Sequence, residues 1–281
     1  MKSLLTTPLS ILTAALALST SVNAASLEEI KEQGYVRIAV ANEIPYGYVT
    51  PSNEAKGAGP DIAKLIMKNL GIDEIRWVTT GFGSLIPGLK ADRFDMVAAE
   101  MAILPQRCSE VLFSEPNSSY GEGLLVAKGN PKDIHTYEDF SNSDLKVAIM
   151  AGADQLEMMQ ALGVDDSRMV TIANNADSIS TIATGRADAY AATSLTVSEL
   201  ASNNRVEAAA DFKDPIINGN PVRSWGGFTF AQSSSDLQEA VNQELQELKK
   251  TDEWKEILLS YGFSETDVQE SFSRTTAQLC E

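Results

Sequence analysis

The sequence predicts an α/β chain folded as two lobes, each a mostly parallel sheet flanked by helices, with a cleft between them. Two observations predict it. A β-α-β-α-β rhythm runs through residues 35–99 and returns through 146–192, which is how a chain builds a parallel sheet covered by helices. The 281 residues are enough for two small packed cores. Apolar residues make up 43% and charged residues 22%, the balance of a water-soluble globular protein.

Residues 35–40, Tyr-Val-Arg-Ile-Ala-Val, alternate and carry β-branched side chains, so they read as a strand. Gly59-Pro60-Asp61 opens a helix with Ile62, Leu65, Ile66 and Leu70 on one face, and Gly71 stops it. Residues 75–79 form a second strand, 82–89 a short helix, and 95–99 a third strand. In the second half, 146–150 is a strand, Gly152-Ala153-Asp154 leads into a helix to Leu162, and 169–172 is a strand. A helix over 177–184 ends at Gly185, and 188–192 is the last strand of the set. The chain is expected to cross between lobes near 122–131 and 225–233. Leu237, Val241, Leu245 and Leu248 then mark the first of two tail helices over 236–261.

Lys2, the apolar run 9–18 and the small-residue pattern Val22-Asn23-Ala24 predict an export signal over 1–24, cleaved after Ala24. The run is shorter than the roughly 20 apolar residues that span a membrane. Removing it leaves a net charge of about −18, from the −17 of the whole chain. Such a surface repels nucleic acid and anionic lipid. In an oxidising compartment the two cysteines, Cys108 and Cys280, are expected to form a disulfide, since a chain end gains from being tied down. One histidine and no close cysteine spacing argue against a metal site.

The stretches GFGSLIPGLKADRFDMVAAEMAILPQR (81–107), GRADAY (185–190) and LKKTDEWKEILLSYGF (248–263) resemble the polar-amino-acid family of periplasmic binding proteins, the extracellular solute-binding family 3. Within it, ANEIPYGYV (41–49), PQRC (105–108) and the terminal TTAQLC resemble the ectoine and hydroxyectoine receptors of ABC importers, which also end near a cysteine. The resemblance covers essentially the whole chain after residue 24. It implies the type II periplasmic-binding-protein fold, with lobe 1 from 25–125 and 229–281 and lobe 2 from 126–228. It also implies a monomeric periplasmic receptor without cofactor, which passes its solute to permease subunits in the inner membrane.

On that resemblance Arg107 holds the ligand carboxylate, for which the guanidinium offers a matching fork of donors. Glu43 and Tyr46 follow the first strand, where open α/β sheets bind ligands, and with Phe82 they form a charge-plus-aromatic enclosure for a cation. By spacing alone Phe82 fits a core position equally well. Asp154 is a helix N-cap by position, and it is also placed to meet a ligand nitrogen. The chain departs from the family at three places. Leu104 replaces the Thr of the Thr-x-x-Arg turn, and Thr193 stands where many members carry an Asp for the α-ammonium. Glu100-Met101-Ala102-Ile103 lacks the aromatic of the ectoine receptors, and Glu100 adds an acid. Trp225 either supplies the missing ring face or packs the hinge. The expected solute is a small zwitterion, ectoine or 5-hydroxyectoine, with a polar or cationic amino acid or a betaine as the alternative. An enzyme on the same fold, such as a dehydratase, would need a placed acid–base pair. None is evident beyond the carboxylates Glu43 and Glu100, so the expectation is binding without catalysis.

Overall fold

The computed structural model describes residues 26–281, and the expected signal segment 1–24 lies outside them. Tyr35–Val40 runs parallel to Glu74–Thr79 on one side and to Met96–Ala102 on the other. The connecting helix Ala58–Asn69 forms because Ile62, Ala63, Ile66 and Met67 recur on one buried face. Its Pro60 sits in the first turn, where a missing N–H breaks no bond. The next crossover is the 3₁₀ turn Phe82–Ser84 running into the helix Leu85–Lys90. Ser224–Phe230 completes this sheet, antiparallel to Met96–Ala102 and to the short strands Leu112–Phe113 and Ser118–Tyr120.

The second sheet has the spatial order Met169–Ile172, Val147–Met150, Ala189–Thr193, Glu122–Ala127, Val206–Ala208. Its first three strands are parallel, and Glu122–Ala127 pairs antiparallel with both neighbours. In both sheets the parallel strands are the β-α-β units legible in the sequence. The antiparallel ones include the segments arriving from the other sheet, which need no covering crossover helix.

Those segments correct one expectation. Residues 122–131 and 225–233 read as crossovers, yet Glu122–Ala127 and Ser224–Phe230 are strands buried along most of their length. The first lies wholly in the second sheet and the second wholly in the first. Dividing the lobes by sheet therefore puts the crossings near Gly121 and Arg223, a few residues before the expected 125/126 and 228/229.

One apolar cluster packs Ile62, Met67, Phe228, Leu245 and Trp254 against the first sheet. The other runs through the second sheet and reaches Phe82 and Leu85 of the first, so the lobes share buried surface. The tail forms the expected helices, Ser235–Leu248 and Asp252–Ser260. Two more follow, Glu265–Glu270 and Thr276–Leu279, each started by a capping box. Cys108 and Cys280 are bonded, which fastens the chain end to the short helix Pro105–Cys108.

Candidate functional site

The carboxyl ends of the parallel strands of both sheets face one cleft, the place where α/β sheets take ligands. Six residues singled out from sequence line a single pocket there: Glu43, Tyr46, Phe82, Glu100, Asp154 and Thr193. Tyr120, Met150, Gln155 and Tyr190 line it as well, and the sequence reading did not name them. The space open to the centre of a water molecule is only ≈20 Å³, room for one or two waters. The lobes are closed, and admitting a solute requires them to part.

On the first-lobe wall, Tyr46 is 2% exposed and lies 5.1 Å from the Tyr120 ring and 5.8 Å from Phe263. Its hydroxyl is directed at Thr193 without closing a bond of ordinary geometry. Glu43 Oε1 accepts from the Thr196 hydroxyl at 2.8 Å, a bond that joins the two lobes. Burial, reinforced by the charge of Asp154, raises the Glu43 carboxyl above the usual range.

Glu100 owes its position to a bulge. Residues 98–100 oppose the single residue Phe228, and Glu100 itself has φ +48° inside the strand. Its Oε1 accepts from Asn117 Nδ2 at 2.6 Å and its Oε2 from the Ser118 hydroxyl. Burial pushes its pKa up to about 7 against the opposing pull of those two bonds.

On the second-lobe wall, Asp154 occupies the N-cap position of the helix Gln155–Ala161 but makes no capping bond. Its Oδ2 accepts instead from the Ser224 hydroxyl of the other lobe at 3.3 Å. Thr193 does cap its helix, Ser194–Leu200, by accepting from Thr196 N. Glu122, 3% exposed, stands just behind this wall, with its Oε2 held by Gln155 Nε2 at 2.7 Å and by the Tyr137 hydroxyl at 3.2 Å. No sequence signal pointed to it, because it begins what read as a crossover.

Arg107 is buried beside the pocket, its guanidinium 5.7 Å from the Phe82 ring. It donates to Ala102 O at 3.0 Å and, across the lobes, to Gly152 O at 2.9 Å. Both partners are neutral carbonyls, and it belongs to none of the ion pairs among the described residues. The loops meet closely here: a Cβ on Gly152 would fall 2.7 Å from Gly83 Cα.

Trp225 is not brought to the pocket. Side chains alternate along a strand, so while Ser224 reaches Asp154, Trp225 turns away and donates to Glu270 O at 2.8 Å. Among the described residues no cluster of His, Cys, Asp and Glu fits a metal ion.

The pattern of the bacterial extracellular solute-binding proteins, family 3, matches residues 36–264. A probable amino-acid ABC transporter periplasmic-binding protein of Sinorhizobium fredii is 54% identical over 260 residues, 92% of this chain and 86% of that protein. Among solved structures, EhuB in complex with hydroxyectoine superposes with a TM-score of 0.82 at 32% identity, covering 91% of this chain and 97% of that one. An ancestral amino acid-binding protein, a precursor of cyclohexadienyl dehydratase, superposes with a TM-score of 0.72 at 26% identity, covering 84% and 98%.

Proposed function

The chain belongs to the bacterial extracellular solute-binding proteins of family 3, and from that premise we propose that it is the periplasmic receptor of an ABC importer for a small zwitterion with a delocalised cation, ectoine or 5-hydroxyectoine first. The observation that carries the reading is the charge and ring content of the pocket. Glu43, Glu100 and Asp154 line it together with the rings of Tyr46, Phe82, Tyr120 and Tyr190, and no Lys or Arg does.

Buried carboxylates are unfavourable without a counter-charge. A cation entering between them relieves that cost, and each well-placed ring face adds roughly 0.5–2 kcal/mol. Arg107 supplies the opposite pole. A ligand carboxylate in place of its two carbonyl acceptors makes a stronger, charge-assisted pair. A solute touching Arg107 and Glu43 on one lobe and Asp154 on the other favours the closed form, and that form is what the permease subunits recognise. The hydroxyectoine complex of a 32% identical relative supports this solute class.

A basic amino acid is the second reading, favoured by three lining acids against one neighbouring guanidinium. Binding without chemistry fits the position of His135, the single histidine. It is outside the pocket, bonded to Ala210 O and Asp133. Calorimetric titration with ectoine, 5-hydroxyectoine, glycine betaine, arginine and glutamine tests the proposal. Either ectoine is expected to bind tightest, and an amino acid binding ten times tighter overturns the ligand while leaving the receptor role.

A further inference from the structure

Among the described residues Glu122 is the carboxyl of the cleft with an oxygen both shielded from solvent and without a hydrogen-bond partner. Its Oε2 is held by Gln155 and Tyr137, and its backbone N–H donates to Asp214 Oδ1 at 2.8 Å. Oε1 is shielded from solvent and has no hydrogen-bond partner among the described residues. An unpaired carboxylate oxygen is among the costliest groups to bury.

Its direction follows from the ladder. Glu122 stands directly opposite Thr193 in the antiparallel pair, and opposed residues project from the same face of a sheet. Thr193 lines the pocket, and so does Gln155, which grips Oε2, so Glu122 lies directly behind two lining residues. The carboxylate is thus anchored by one oxygen, and the other lies unpartnered just behind the pocket wall.

We propose that Glu122 is a specificity-determining ligand contact whose Oε1 accepts a hydrogen bond from the solute on the second-lobe side. The inference rests on reading the cleft as a receptor for a small cationic zwitterion, and it narrows that class. The cation must carry an N–H or O–H donor in addition to the one that meets Glu43. An amidinium ring with N–H groups on two edges qualifies, and so does a guanidinium. A quaternary ammonium, which has no donor, leaves Oε1 unpaired and is rejected. Burial and then the neighbouring Asp154 push the Glu122 carboxyl up, so a cation beside it would favour its ionised form.

The test is Glu122→Gln, which keeps the shape and an acceptor for Gln155 and Tyr137. Wild type and variant are titrated with 5-hydroxyectoine, arginine and glycine betaine, and their melting is recorded without solute. For whichever of the first two binds wild type, affinity is expected to fall tenfold or more, with betaine weak in both proteins. Melting of the solute-free variant at alkaline pH, where the raised carboxyl ionises without a partner, is expected to lie about 2–4 °C above wild type. Unchanged affinity, or a lower melting temperature, makes Glu122 structural and overturns the proposal. If neither solute binds wild type, the ligand reading fails, and the melting shift still decides the role of Glu122.

Discussion

The two walls of the cleft are built to different standards of rigidity. On the first-lobe side Tyr46 is wedged between Tyr120 and Phe263, and Glu100 is gripped by Asn117, whose Oδ1 in turn receives the Trp254 indole N–H at 3.0 Å. On the second-lobe side Asp154 and Thr193 sit at the starts of two seven-residue helices. Asp154 keeps one long side-chain bond, and it runs to the opposite lobe. The comparison teaches a division of labour. A preorganised wall loses little freedom on binding and so supports selection, whereas Asp154, whose one side-chain bond runs to the other lobe, is suited to closing over what that wall has captured.

The largest expected effect breaks the first wall. Arg107→Ala should weaken solute binding by about 2–5 kcal/mol, part of it from leaving the ligand carboxylate unpaired. Calorimetry checks it, and an intact fold with unchanged affinity would remove Arg107 from the site. Next comes the anchor beneath that wall. Cys280→Ser frees the chain end from Cys108, the neighbour of Arg107, across a separation of 172 residues. A stability loss of about 2–4 kcal/mol is expected in urea unfolding, and no change in midpoint would show the tail to be held without the bond.

Glu100→Gln tests the rigid wall through pH. The Glu100 pKa rises on folding from its ordinary 4.5 to about 7, so the folded state holds its proton more tightly. The stability this contributes is fully present below pH 4.5 and is lost as pH rises through 7. Above pH 7 the ionised, buried carboxylate is a liability, and the neutral variant should gain about 3 kcal/mol at pH 8 and little at pH 4. Melting curves at the two pH values check this, and equal shifts at both would refute it. A bound cation favours the ionised form, so wild-type affinity should also increase from pH 5 to pH 8.

The smallest effect probes the closing wall. Gly152 has φ +81° and touches Gly83 of the opposite lobe. Gly152→Ala should cost about 1 kcal/mol in stability and weaken affinity several-fold by holding the loops apart. Small-angle scattering with and without solute would detect the more open average, and an unchanged radius would dissociate this contact from closure.

The alternating strands and helices, the fold class and the cysteine pair were all legible in the order of the residues. Residues at the carboxyl ends of strands, such as Glu43, Tyr46 and Asp154, were legible for the same reason: topology alone sends those turns to the cleft. The contributions from inside strands emerged only once the chain was folded. Glu122 and Ser224 open buried strands just past the points where the chain changes lobe, and a short apolar run does not declare whether it crosses or pairs. Tyr120 and Tyr190 are mid-fold aromatics, indistinguishable in sequence from core residues until neighbouring strands give them a face. Trp225 failed for the converse reason. One residue along a strand reverses the direction of a side chain, and its register was set by pairing with Ser119, more than a hundred residues away.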